Sequence, residues 1–244
     1  MTTRARTKPP ESREGSTTFD ELITRTSEPD FHQERSRRSY MSLIDSATEL
    51  FAAHGYDAVG TPEIASHAGV SVGTFYRYFD DKHAVYLEIA RRRMITAWRE
   101  TMQDMSPKRF LGLARHETIA ATVDMLFKHV LARPELTRSI RQMSLRDPEV
   151  ADLTRAFEKF VIDRIGLLIK AIIPRETVPD PEATAYVIYS CAMECAWGLT
   201  GLGQPIVDPD RAKRALADFV ERALFPTAAP KPPPPSSTPP ATNQ

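Results

Sequence analysis

Between about residues 35 and 225 the apolar side chains recur at intervals of three and four, the period that gathers them on one face of an α-helix. The first run spans Arg37 to His54, with Met41, Ile44, Ala47, Leu50 and Phe51 on one face and Gly55 as its stop. A short second helix opens at Thr61-Pro62-Glu63 and ends at Gly69. Threonine can cap it, proline suits its first position, and glutamate suits the positive end of its dipole. Ser71 caps a third helix, and Asp80 or Asp81 caps a fourth that carries Ala84, Val85, Leu87 and Ile89 on to about Met102. Further runs cover residues 116–132, through Ile119, Val123, Leu126, Phe127 and Val130, and residues 149–173, with Pro134, Pro148 and Pro174 as punctuation. An apolar helix over 181–202 and an amphipathic one over 209–224 complete the pattern. No strand-like alternation and no internal repeat interrupts it, so the expected fold is all-α.

Three short helices ahead of a longer one, with Ala68-Gly69-Val70-Ser71 turning between the second and third, match a helix-turn-helix. In that motif the second member of the pair lies in the major groove of DNA. Ser71 and Thr74 stand at the start of this helix, where free amides and hydroxyls can hold phosphate oxygens. Gly73 removes a side chain, which lets the helix end approach base edges. Phe75 and Phe79 are expected to turn inward onto Ile44, Phe51 and Ile64. Base reading falls to Val72, Gly73 and Arg77, with arginine suited to a guanine edge and valine to a thymine methyl. Arg77 has an equal claim to an ion pair with Asp80 or Asp81, and Tyr78 is read as a packing residue.

The span from Arg38 to Leu87 resembles the DNA-binding domain of the TetR family of bacterial transcriptional regulators. The resemblance is carried by Ile44, Ala47, Leu50-Phe51, Gly55, Thr61, Ile64-Ala65, Ala68-Gly69-Val70-Ser71, Gly73-Thr74-Phe75-Tyr76, Tyr78-Phe79 and Lys82. Pro62 is a departure from that pattern, compatible with a helix start. The resemblance implies that Tyr76 and Lys82 meet the DNA backbone and that Thr61 touches phosphate as well as capping its helix. It also implies a homodimer on a palindromic operator, with the 181–202 and 209–224 helices forming a four-helix bundle with their mates. Four segments follow: an arm at 1–34, a helix-turn-helix domain at 35–82, a helical effector-binding and dimerisation domain at 83–226, and a proline-rich tail at 227–244. The expected role is a regulator, in the first instance a repressor released by a small effector. An activator, or an architectural DNA-binding protein without effector, is the alternative.

Composition changes this picture little. Formal net charge is zero over 244 residues, so no global positive field draws the chain to DNA. Basic residues are instead clustered: Arg4, Arg6, Lys8 and Arg13 in the arm, Arg35, Arg37 and Arg38 ahead of the first helix, and Arg91, Arg92 and Arg93 together. The last cluster is as well read as a solvated face as a functional one. With two cysteines the chain is no disulfide scaffold, and without a bilayer-length apolar run or an N-terminal apolar core it is expected in the cytoplasm.

The C-terminal half offers adaptable and aromatic walls for an apolar effector in Met94, Trp98, Met102, Phe110, Met125, Phe127, Phe157 and Trp197. Glu194 stands out in an apolar helix, placed either to meet a polar ligand group or to pair across a dimer seam. His116, Glu117, Asp124 and His129 share no ligand spacing and read as surface residues, so no metal and no cofactor is expected. Cys191 and Cys195, one turn apart, read as small buried hydrophobes rather than a redox pair. No nucleophile with partners and no phosphate-binding glycine loop is present, and the chain is not expected to be an enzyme.

Overall fold

The computed structural model describes residues 33–101, 107–110, 115–201 and 205–226. The expected arm with its Arg4, Arg6, Lys8 and Arg13, the proline-rich tail, and Met102 lie outside the described residues. Among those described there are nine α-helices, one 3-10 turn and no strand. The helices are α1 (Glu34–His54), α2 (Thr61–His67), α3 (Val72–Tyr76), α4 (Lys82–Thr101), α5 (Arg115–Leu131), α6 (Pro134–Ser144), α7 (Pro148–Ile172), α8 (Pro181–Gly198) and α9 (Pro209–Leu224), with the 3-10 turn at Pro107–Phe110.

Local chemistry starts and stops these helices. Three of the long ones open on aspartate followed by proline: the carboxylates of Asp147, Asp180 and Asp208 accept from the amides of Val150, Ala183 and Arg211 at 2.9–3.0 Å. The aspartate satisfies an orphan donor, and proline supplies a pre-set φ where no amide is needed. Asp81, not Asp80, caps α4 by accepting from the Ala84 amide at 2.8 Å. At α2 the cap is Gly60, with Thr61 already inside the helix, so Thr61 does not cap as expected and its hydroxyl is free for another partner. The α6 helix was not expected. It is short and largely polar, but its proline start and the 4-3 spacing of Leu136, Ile140 and Met143 are helical signals in the sequence.

Two cores form. The larger joins α5, α7, α8 and α9 through Val123, Phe127, Ile165, Ile169, Ala192 and Val220. The smaller fills the space beneath α1–α3 with Tyr40, Leu43, Ile44, Phe51, Ile64, Phe75 and Phe79, and α4 adds Val85, Tyr86 and Ile89. Its floor comes from the other end of the chain: Leu136 and Met143 of α6 and Val150 of α7 are buried in the same cluster. Further along α4, Ala90 and Met94 pack instead on Leu153 of α7. One helix thus serves both halves.

Polar contacts pin the same junction. Tyr86 shares a hydrogen bond with Ser139 Oγ at 2.9 Å, and burial pushes its phenol up to about 12. His83 Nε2 lies 2.9 Å from Asp147 Oδ2, and Arg146 donates to Asp57 at 2.8 Å. The Arg91–Arg93 cluster, open in the sequence between function and a solvated face, is half-buried and committed. Arg91 and Arg92 both clasp the buried Glu88, at 2.8 and 2.7 Å, and Arg92 reaches the α1 residues Tyr40 and Met41. Arg93 donates to the carbonyl of His129 and to Thr137. Arg92 and Arg93 thus tie α4 to α1, α5 and α6, while Arg91 serves Glu88 on its own helix.

Two outcomes are expected. Phe75→Ala leaves a cavity in the smaller core and costs about 3–5 kcal/mol by chemical denaturation. For Asp147, partial burial raises the carboxyl, but the Val150 amide and His83 outweigh it and hold the pKa below the ordinary carboxylate value. A depressed folded-state pKa means stabilisation that is complete at neutral pH and lost as pH falls through that lowered value. Asp147→Asn should therefore lower stability at pH 7 and flatten the acid side of the stability–pH curve, measured by denaturation at stepped pH.

Candidate nucleic-acid interface and ligand cavity

The turn into the third helix is built for a sharp change of direction. After α2 the amide of Gly69 donates to the Ser66 carbonyl and that of Val70 to the Ala65 carbonyl, the paired closure that follows a residue of left-handed backbone. Gly69 is that residue, at φ +66°. Ser42 of α1 donates to the Ala68 carbonyl at 3.0 Å and fixes the turn to the first helix. Ser71 then caps α3: its hydroxyl accepts from the Thr74 amide at 3.1 Å and shares a bond with the Thr74 hydroxyl at 2.9 Å.

With only five residues, α3 is held by what it buries. Phe75 is fully buried and Phe79 nearly so, the latter stacked on Tyr40 at 5.2 Å. Tyr78 packs edge-on to Tyr40 and donates to the Ser36 carbonyl at 3.2 Å, as a packing residue should. The opposite face looks outward. Ser71, Val72, Gly73, Tyr76 and Arg77 are exposed, Tyr76 at 53%. A methyl group added at Gly73 would meet nothing closer than Ser71 Oγ at 3.8 Å, so no internal packing demands glycine there. Among the described residues Arg77 makes no ion pair with Asp80 or Asp81, and Asp81 is occupied as the α4 cap. The hydroxyls of Thr61 and Tyr76 lie 3.0 Å apart and join α2 to α3 on the same outward face.

Lys82 sits at the edge of this face with its ammonium turned inward. It donates to the carbonyls of Tyr56, Asp57 and Val59 at 3.0, 3.3 and 3.0 Å and lies 4.6 Å from the centre of the Tyr56 ring. The side chain closes the loop between α1 and α2. Lysine reads in sequence only as a charge, and the carbonyls it would cap lie some 25 residues away, so this contact had no sequence signal.

A partly open cavity of about 310 Å3 lies in the C-terminal half, lined by α4, α5, α6, α7 and α8. Of the sequence candidates, Met94, Phe157 and Trp197 line it. Trp98 packs on Phe160 at 4.6 Å beneath Arg164, Met125 is 41% exposed, and Glu194 points to solvent in an ion pair with Arg141 at 3.1 Å; none of these three is in its walls. Phe127 is buried in the larger core, and Phe110 lines a neighbouring, wholly apolar cavity of about 100 Å3, parted from the first by Leu126 and Tyr189. Sequence reasoning missed the polar wall: Arg93, His129, Thr137, Arg141 and Glu158. Helical periodicity signals which face is apolar, not which charged side chain at its margin bends into a void.

The remaining chemical candidates are paired. His116 contacts Glu221 at 2.6 Å, His129 contacts Glu100 at 3.1 Å, and Asp124 holds Lys213 at 2.9 Å. No cluster of metal-ligating side chains occurs among the described residues. Cys191 is half-buried, but Cys195 is exposed rather than buried as expected; partial desolvation and the neighbouring Cys191 and Glu194 push its thiol up, away from the reactive thiolate. No helix among the described residues is long and apolar enough to cross a membrane.

The model of bacterial regulatory proteins of the tetR family matches residues 43–89, from mid-α1 to mid-α4. The fatty acid metabolism regulator protein of Bacillus subtilis (strain 168) is 37% identical over 60 residues, which are 25% of this chain and 31% of that protein, so the likeness spans under a third of the relative. The HTH-type transcriptional repressor Rv1474c of Mycobacterium tuberculosis is 28% identical over 168 residues, 60% of this chain and 87% of its own. Among solved structures, SmeT, the repressor of the Stenotrophomonas maltophilia multidrug efflux pump SmeDEF, superposes with a TM-score of 0.58 at 17% identity over 80% of this chain and 96% of that one. The family match is thus seated on the helix-turn-helix: residues 43–89 are those of a DNA-binding domain of the tetR family of bacterial regulatory proteins, and the helical fold beyond it is shared with SmeT.

Proposed function

We propose that the protein is a homodimeric, sequence-specific DNA-binding transcriptional regulator, a repressor that leaves its operator when a small apolar molecule fills the cavity. The observation that carries the DNA-binding part is the two-sided α3. Phe75 is sunk in the core while Val72, Gly73, Tyr76 and Arg77 face out, and the glycine at 73 answers to no internal packing. Close approach to a duplex explains the missing side chain. Arg77, without an ion pair among the described residues, is available to a guanine edge, and Val72 to a thymine methyl. Ser71, Thr74, Thr61 and Tyr76 offer hydroxyls to phosphate. Lys82 contributes by fixing the α1–α2 loop, and a phosphate contact from it would replace one of its carbonyl bonds. The functional division is a DNA-binding unit at about 35–82 and an effector-binding and dimerisation unit at about 83–226.

One α3 reads few base pairs, and affinity requires two half-sites related by the dimer axis. The mating surface is on α8 and α9. While Ala185, Ile188, Ala192 and Ala196 of α8 face the core, Tyr186 and Val187 are 60% and 49% exposed, and Phe219 of α9 is 47% exposed beside Cys195 and Val207. A helix apolar all round is one buried on both sides.

Coupling runs through α6. Thr137, Ile140, Arg141 and Ser144 line the cavity, while Leu136 and Met143 of the same helix are buried in the DNA-binding core. A ligand that pushes on α6 and α4 therefore acts directly on the seat of α1–α3. Effector and operator then oppose each other reciprocally, by selection between two packings.

Selection of bound duplexes from a random pool by the purified protein is expected to return a palindrome, with affinity that falls steeply as salt rises. Arg77→Ala should cost about 1–3 kcal/mol and relax preference at one base pair, while Tyr76→Ala weakens all duplexes alike. A protein that retains full affinity after both changes would not dock through α3. Separately, Val187→Glu should convert the dimer to monomer in analytical ultracentrifugation and remove operator binding at concentrations where the parent protein is bound.

A further inference from the structure

The effector reading leaves the chemistry of the ligand open, and the polar groups of the main cavity narrow it. Its two arginines are already engaged. Arg93 Nη2 donates to the His129 carbonyl at 2.9 Å and to Thr137 Oγ1 at 2.8 Å. Arg141 pairs with Glu194 at 3.1 Å and lies over the Trp197 ring at 4.2 Å. His129 holds Glu100 at 3.1 Å through Nδ1. Glu158 differs from all of these: among the described residues its carboxylate has neither ion pair nor hydrogen bond, and the arginine one turn back, Arg155, is committed to Asp152 at 2.9 Å. The Tyr189 hydroxyl, on the facing helix α8, also lacks a hydrogen bond among the described residues. Both groups line the same cavity, and burial pushes both above their ordinary pKa values, the Glu158 charge adding to the push on Tyr189. The rest of the wall is apolar or aromatic, from Met94, Phe157, Met193 and Trp197.

We propose that this cavity takes a lipophilic amine, whose protonated nitrogen donates to the Glu158 carboxylate and the Tyr189 hydroxyl oxygen while its hydrocarbon body packs on Met94, Phe157 and Trp197. A desolvated carboxylate without a partner is costly, and a ligand cation removes that cost in a way a neutral or anionic ligand cannot. The aromatic walls add the attraction of their ring faces for a cation. An anionic ligand would instead have to draw Arg93 from Thr137 or Arg141 from Glu194. The proposal rests on the reading of this cavity as the effector site, and the two are separable by experiment.

Decylamine, decanol and decanoate, matched in chain length and held below their micelle concentrations, are titrated into the full chain by isothermal calorimetry, with DNA binding measured in parallel. Decylamine is expected to bind about ten-fold or more tightly than decanol, the scale of one charge-assisted contact. Glu158→Gln should remove that advantage and leave decanol unchanged. Tyr189→Phe, which keeps the ring, should reduce it by a smaller factor, and serves if the glutamine variant fails to fold. Preference for decanoate, or a decylamine affinity unmoved by either substitution, overturns the assignment. If decylamine binds as expected but leaves DNA affinity unchanged, the ligand assignment stands and the effector reading falls. If decanol or decanoate releases DNA while decylamine does not bind, the reverse holds.

Discussion

A helix of five residues cannot hold its own shape in water, because nucleation costs more than its few hydrogen bonds return. The outward face of Val72, Gly73 and Tyr76 is carried on such a helix, so its existence depends on the burial of Phe75 and Phe79 among Tyr40, Phe51 and Ile64. The serine cap and the left-handed Gly69 choose where the helix begins and how it turns. They do not supply the energy that keeps it there. That energy comes from aromatic area removed from water, and α3 is only as firm as the core beneath it.

That core is not closed by the N-terminal segment alone. Leu136, Met143 and Val150 complete it from α6 and α7, and the contacts Tyr86–Ser139, His83–Asp147 and Arg146–Asp57 fasten the rim. The cavity lies on the other side of α6. A wall shared between this cavity and the seat of α3 is a compact way to connect the two, since interiors transmit small displacements rather than absorb them. The three arginines of α4 belong to the same economy. They bind Glu88, Tyr40, Met41, His129 and Thr137, linking α4 to its neighbours on both sides.

Much of the fold was legible in the sequence wherever a signal is local. Periodicity located α1, α4, α5, α7, α8 and α9 within a few residues, and capping chemistry marked α2 and α3. Where two residues could serve one role, packing chose between them: Thr61 looked like a cap, but Gly60 took that place and left the threonine hydroxyl to Tyr76. The short α6 carried signals too, in Pro134 and the spacing of Leu136, Ile140 and Met143, yet its polar majority hid them. Its apolar side chains serve a core some fifty residues upstream, which no window along the chain can sense.

By itself the sequence determined the helical class, the helix-turn-helix and the inward turn of Phe75 and Phe79, because caps, glycine conformations and apolar spacing act over a few residues. Only the tertiary structure decided what the charged side chains do. Lys82 turned onto the Tyr56–Val59 carbonyls, Arg92 and Arg93 became ties between helices while Arg91 paired with Glu88 on its own helix, Glu194 went to the surface, and Glu158 was left facing a largely apolar hollow. The reason is physical: a long charged side chain can reach several directions from the same backbone position, and its partner is chosen by whichever distant segment packing brings within range.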